Sequence, residues 1–338
     1  MRPRDLRRLP GALLFVACCA VIAACGQTAG GGSGGKDYPD RRLEIMAPAD
    51  PGGGWDETAR ALQKSIRDSK LAKSGSEVFN VPGAGGTLGL SQLVSKSKGD
   101  PHQLMVMGLV MLGAIETNKS SVSLDQVTPI ATLTAEAEAV VVPAKSKYQT
   151  LKDLMADLKR DPRSIAWAGG SAGGTDQLLV GLLAKAAGAD PAKTKYVAHS
   201  GGGEAKTAIL SGEVQAGVSG VSEFADQVEA GKMRVLAVSG AKPAAVGGKQ
   251  AQTIRDQGFD VEITNWRGVV APPGISDDQR DQIVDFVKRL RATPAWKSNL
   301  QRFGWTELDK SGSAFQQFLD AEQKRVHQLA VELKLSGG

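Results

Sequence analysis

Three glycine clusters stand where a chain can bind an anion without using a charged side chain: Gly52-Gly53-Gly54-Trp55-Asp56, Gly83-Ala84-Gly85-Gly86-Thr87 and Gly170-Ser171-Ala172-Gly173-Gly174-Thr175. Each follows a short apolar run and precedes an amphipathic stretch, so each is predicted to join a strand to a helix. The first N–H groups of a helix have no internal partner, and the helix dipole makes that end positive. Glycine lets a ligand oxygen reach this bare backbone. In open α/β sheets, ligands also settle beyond the carboxyl ends of strands. No GxxxxGK followed by Ser or Thr occurs, and Gly83, Gly85 and Leu88 miss the third glycine of GxGxxG. A carboxylate therefore fits better than a nucleotide phosphate, with Ser171 and Thr175 as hydroxyl donors. One such cluster would read as a plain turn; three in equivalent positions point to function.

A rival chemistry shares one of these clusters. Gly169-Gly170-Ser171-Ala172-Gly173 satisfies GxSxG, the nucleophile elbow of α/β serine hydrolases. A hydrolase then needs a histidine after Ser171, and only His199 and His327 follow it. His327 sits in a terminal amphipathic stretch, His199 follows Ser171 closely, and no HGGG-type oxyanion segment precedes Ser171. Catalysis is therefore the weaker reading, and the protein is expected not to be an enzyme. Three dispersed histidines give no metal cluster, no cofactor motif is present, and Glu136 and Glu138 read as solvated acids.

The elements that would position these loops alternate as in an α/β protein. A strand is predicted over 43–47, a helix over 55–69, a strand over 78–81, a helix over 88–97 and a strand over 104–107. Two extended apolar segments, 130–133 and 140–142, flank a short Ala/Glu patch. A second unit begins at Thr150, which caps a helix with Asp153 in an acidic variant of the capping box. Strands over 164–168, 195–198, 215–219 and 234–238 follow, interleaved with helices, one of which starts at Thr175. Ser276 and Gln279 form a second capping box, and apolar residues from Phe315 to Leu333 at helical spacing mark a terminal helix.

The chain has 338 residues, enough for two domains, with ordinary hydrophobic (41%) and charged (23%) contents, 41 glycines and few aromatics (5%). Its net charge of +5 is concentrated at the start, where Arg2, Arg4, Arg7 and Arg8 against Asp5 leave +3 in residues 1–24. The remaining chain carries only about +2, too little for a nucleic-acid surface. After the basic start, an apolar stretch over 13–24 has signal-peptide length and is too short to span a bilayer. Ile22-Ala23-Ala24-Cys25-Gly26 then resembles the bacterial lipobox, whose Cys is acylated. The competing reading is simple signal cleavage near Ala24 with Cys25 incidental. The glycine-rich segment 26–36 favours lipidation, because it forms a flexible leash of about 20 Å. All three cysteines (18, 19 and 25) lie in this leader, so the body has no disulfide or thiolate site.

In order and spacing, residues 51–60 (PGGGWDETAR), 81–89 (VPGAGGTLG), 169–177 (GGSAGGTDQ), 199–217 (HSGGGEAKTAILSGEVQAG), 230–241 (AGKMRVLAVSGA) and 266–273 (WRGVVAPP) resemble the tripartite tricarboxylate transporter receptors, the Bug or TctC-like family. The resemblance implies an α/β, type II periplasmic-binding-protein fold: two lobes with a ligand cleft between them. Lobe 1 would be 37–137 plus 240–338 and lobe 2 would be 138–239, after a signal peptide (1–24) and a lipidated Cys with its tether (25–36). The resemblance places ligand contacts on Gly53, Gly54, Trp55, Asp56, Ala84 and Gly85 in lobe 1. In lobe 2 it places them on Ser171, Gly173, Gly174 and Thr175, with Ser200 and Gly201. Asp56 reads equally well as a helix cap that never meets ligand. Trp55 stands where the family more often has a small polar residue, and Thr175-Asp176 replaces a common Ser/Thr-His pair, so relatives' specificity does not transfer. The implied function is capture of a tri- or dicarboxylate type of ligand, without cofactor or metal, by a monomer on the outer face of the cytoplasmic membrane or in the periplasm. Membrane subunits of an ion-driven carrier would be its partner; a sensor with the same fold is the alternative use.

Overall fold

The computed structural model describes residues 38–335. The predicted signal peptide, Cys25 and the tether lie outside the described residues.

The described chain opens with β1 (Leu43–Ala47), α1 (Gly54–Asp68), β2 (Ser76–Asn80), α2 (Thr87–Lys96), β3 (Gln103–Gly108) and α3 (Leu109–Thr117). A long strand, β4 (Thr128–Pro143), follows. Then α4 (Leu151–Arg160), β5 (Ala166–Gly169), α5 (Thr175–Ala186), β6 (Lys195–Ala198), α6 (Gly202–Ser211), β7 (Ala216–Gly220), α7 (Val221–Glu229) and β8 (Met233–Val238) continue the alternation. A small hairpin of β9 (Ala244–Val246) and β10 (Lys249–Ala251) leads to β11 (Thr264–Ala271). The described chain closes with α8 (Asp277–Arg291), α9 (Pro294–Phe303), β12 (Thr306–Glu307) and α10 (Ser313–Glu332).

The strands form one sheet in the order β2-β1-β3-β11-β4-β7-β5-β6, with β8 and β12 also paired to β4. The β2-β1-β3 and β7-β5-β6 runs are parallel. The joints through β11 and β4 are antiparallel. The strand β4 therefore belongs to both halves. Its residues Thr128 to Ala137 pair with β11, and Glu138 to Val141 pair with β7. The two extended segments expected around 130 and 140 are thus one strand. The Ala/Glu patch between them is buried, not solvated: Glu136 and Glu138 are 1% and 0% exposed.

Both capping boxes form. Thr150 Oγ1 accepts from the Asp153 amide while Asp153 Oδ2 accepts from the Thr150 amide, and Ser276 and Gln279 do the same at α8. Each box satisfies two otherwise orphaned amides, a contribution of about 1 kcal/mol. Helices α1, α5 and α6 each begin directly at a glycine loop that follows a strand, so their N-termini point toward the carboxyl edge of the sheet.

Candidate ligand-binding cavity

Where the two halves of the sheet meet, the starts of α1, α5 and α6 converge on a cavity of about 60 Å³. Gly53, Gly54 and Trp55 reach it from the first half, and Ser171, Gly174, Thr175, Ser200 and Gly201 from the second. Trp55 is 7% exposed. Its ring packs so closely on Gly86 that a Cβ there would lie 2.7 Å from it.

The remaining expected positions lie outside the lining. Asp56 turns away: its Oδ2 accepts from the Gly52 amide (2.8 Å) and Arg60 Nε (2.9 Å), and its Oδ1 accepts from Asn80 Nδ2 (2.9 Å). Burial opposes its ionisation, but these bonds outweigh burial and hold its carboxyl below the usual range. Ala84 uses its carbonyl to accept from Thr87 Oγ1 and Asn118 Nδ2. Gly85 faces Ser171, whose Cβ would be 3.5 Å from a Cβ added at Gly85. Gly173 touches Gly113 of α3 from the opposite half, so closely that a Cβ on Gly113 would lie 2.9 Å from the Gly173 carbonyl carbon. Among the described residues, no hydrogen bond joins Ser171 to a histidine; His199 lies beside Glu204 and His327 bonds Glu116.

The cavity also gathers side chains that sequence reasoning did not assign to it: Asp176, Ser219, Glu223, Asn265 and Arg267. Arg267 on β11 is 3% exposed and pairs with Glu136 Oε2 of β4 at 2.9 Å. Its guanidinium also lies over the Trp305 ring. Glu136 is fully provided for, since Trp305 Nε1 and the Ser222 amide at the start of α7 also donate to it. Gly54 is required here, because a Cβ would lie only 3.0 Å from Arg267 Cζ. A charged residue set in the apolar strand Trp266-Arg267-Gly268-Val269-Val270 was the available signal. A buried strand tolerates a guanidinium only when a carboxylate faces it.

The other acids have no such partner. Burial pushes Asp176 up to about 7, against the pull of the Gly170 amide that donates to its Oδ2 at 2.6 Å. Glu138 lies beside it with both oxygens buried and unbonded to any donor, and burial raises its carboxyl well above the usual range. Two such carboxyls side by side each oppose the other's ionisation. Glu223 accepts from Ser219 Oγ, and burial keeps its carboxyl raised although the Gly54 amide of α1 draws it down. Burial and the neighbouring Glu223 raise Glu57, on α1, to about 7. Thr175, Arg267 and Asn265 line the same space, and their Oγ1, Nη1 and Oδ1 atoms are buried without a hydrogen-bond partner. No cluster suited to a metal ion occurs among the described residues.

The sequence profile of the tripartite tricarboxylate transporter family receptor matches residues 58–335. The chain belongs to that receptor family. Membership makes it a solute-binding receptor and not an enzyme, so the GxSxG at Ser171 is not a nucleophile elbow. Curated relatives of this receptor include the UPF0065 protein in the gbd 5' region of Cupriavidus necator, 25% identical over 302 residues, covering 88% of this chain and 89% of the relative. Protein BugT of Bordetella pertussis is 26% identical over 246 residues, covering 70% and 72%. Among solved structures, the periplasmic binding protein BugD superposes with a TM-score of 0.79 at 20% identity, over 89% of this chain and 100% of BugD. MatC (Rpa3494) from Rhodopseudomonas palustris, solved with malate, gives 0.76 at 21% identity, over 86% and 99%. These likenesses establish the type II periplasmic-binding-protein fold for the receptor.

Proposed function

We propose that this receptor captures a small organic carboxylate outside the cytoplasm and delivers it to the membrane subunits of a tripartite carrier. The observation that carries the reading is the cavity itself: helix starts from both halves of the sheet meet there, with the buried Thr175 hydroxyl and Arg267 Nη1 as donors lacking an acceptor. An anion would satisfy them, helped by the dipoles of α1 and α5. Structural relatives described with malate and with adipate support the ligand class. In this reading lobe 1 is 37–137 plus 240–338 and lobe 2 is 138–239. Contacts made only in the closed form shift the population toward closure. The receptor acts as a monomer.

A thermal-shift screen of mono-, di- and tricarboxylates against neutral sugars and inorganic cations tests the ligand class. A compact carboxylate is expected to raise the melting temperature in a concentration-dependent way. If only a sugar or a cation does so, the reading fails.

Family membership implies export, and the lipobox-like Ile22-Ala23-Ala24-Cys25 followed by a glycine leash supports a lipid anchor at Cys25. Changing Cys25→Ser is expected to abolish incorporation of labelled fatty acid and to move the protein from the membrane fraction to the soluble one. Unchanged labelling would rule the anchor out.

A further inference from the structure

The ribbon made by β4 and β11 has a second face. Along it Ala137 pairs with Thr264, Glu136 with Asn265 and Ala135 with Trp266. Successive side chains of a strand point to opposite faces. Glu136, Asn265 and Arg267 therefore share the face of the cavity already described. Ala135, Ala137, Thr264 and Trp266 point the other way, and there they floor a separate groove of about 700 Å³. Small-molecule sites occupy about 300–1,000 Å³.

The walls of the groove are apolar and belong to different cores. Val221, at the start of α7, packs with Phe224 and Val246, whereas Leu308 and Phe318 pack with Trp266 and Phe315. Trp266 and Phe318 meet edge to face with their ring centres 5.0 Å apart. The acids of the groove already have partners. Glu322 accepts from Trp266 Nε1 at 2.6 Å and from Arg325 Nε and Nη2 at 2.7 Å each, and Glu262 pairs with Arg255. Two cations do not. Lys242 is exposed on the rim, and Lys310 Nζ stands 5.5 Å from the centre of the Phe318 ring; neither has an acidic partner among the described residues. An apolar floor under an unmatched positive rim is the complement of an amphipathic anion.

We infer that this groove is a second ligand site, which takes a monocarboxylate with a large apolar body. The body lies against Val221, Trp266, Leu308 and Phe318, and the carboxylate meets Lys242. The glycine loops take no part. The two sites communicate through the ribbon they share, because walls that close over one of its faces spread apart on the other. Here the first cavity is shut, with Gly113 of α3 against Gly173, and the groove behind it stands open. A molecule wedged in the groove makes contacts that are lost when the first cavity opens, so it favours the shut form. That coupling rests on the closure proposed above; the second site itself does not.

Three probes that differ only in the head group give the test: 4-phenylbutyrate, 4-phenylbutanol and 4-phenylbutylamine, each titrated calorimetrically into the purified protein. The acid is expected to bind roughly tenfold or more tightly than the other two, the effect of one charge-assisted contact. No binding by the acid, or binding by the alcohol or the amine as tight as the acid's, overturns the inference. Two substitutions at exposed rim positions locate the site: Lys242→Glu, which reverses the charge, and Ala241→Trp, which fills the groove. Both are expected to weaken 4-phenylbutyrate by roughly tenfold or more while the melting temperature of the unliganded protein stays as it was. Unchanged affinity in both variants places the acid elsewhere and overturns the groove. Small-angle X-ray scattering then reads the coupling. Saturating 4-phenylbutyrate is expected to lower the radius of gyration of the wild type and to leave that of Ala241→Trp unchanged. Binding without compaction upholds the second site and overturns its link to closure.

Discussion

Gly113→Ala is expected to lower ligand affinity by roughly 5- to 150-fold while leaving the unliganded protein folded and as stable as before. The residue lies within α3, where alanine is the better helix former by about 1 kcal/mol. Nothing in its own half of the sheet opposes the change. The obstruction comes from across the cleft, where the new Cβ would lie 2.9 Å from the Gly173 carbonyl carbon and nearer still to its oxygen. Real Cβ atoms do not approach backbone so closely, so the loop after β5 must retreat. Overpacking of this kind costs about 1–3 kcal/mol; under the proposed closure of the lobes through this contact, that cost falls on the closed form and gives the stated loss of affinity. Calorimetric affinity and chemical denaturation separate the two effects. A variant that binds like the wild type would show that closure does not require this contact, and one that unfolds early would show that the glycine serves the fold instead.

Arg267→Met should destabilise the protein by about 3–5 kcal/mol, the usual result of removing one partner of a buried ion pair. Glu136 would keep its bonds from Trp305 and Ser222 but lose its counter-charge, with Glu57, Glu138 and Glu223 nearby. The deficit has a definite pH dependence. Burial raises Asp176 and Glu57 to about 7 from ordinary values of 3.8 and 4.5. The folded state therefore binds more protons than the unfolded state across that window, and their contribution is present below about pH 4 and lost as pH rises through 7. Without the guanidinium to favour the ionised forms, the loss is steeper, so the variant's deficit should be larger at pH 8 than at pH 5. Adding Glu136→Gln to the variant should restore part of the stability. Urea denaturation at both pH values checks this; a deficit below about 1 kcal/mol with no pH trend would show that the pair is dispensable.

Local signals carried much of the fold. Thr150 with Asp153 and Ser276 with Gln279 mark helix starts because both partners lie within one turn, and the glycine loops mark strand-to-helix joints because the backbone there needs room. Helix α3 escaped notice for the opposite reason. Leu109, Met111, Leu112 and Ala114 are all buried, so the segment has no polar face to set a period. The segment joining 130 to 142 misled because its acids look solvated until β11 lies beside them. Arg267 and Glu136 are distant in sequence, and nothing near either residue announces the other. The same holds for Glu223 and Asn265: the glycine loops of the cavity are local motifs, whereas the polar side chains that join them there come together only through the sheet.

The position of β11 between β3 and β4 has a consequence for the order of assembly. In the sheet, β11 fills the gap between two strands made much earlier, and it leaves the ribosome only after the whole β5–β8 half. Until then β3 and β4 have no common neighbour, Arg267 is not there to neutralise Glu136, and the first half of the sheet cannot close. For an exported receptor this layout means that the seam of the molecule is sewn by one of the last strands to arrive.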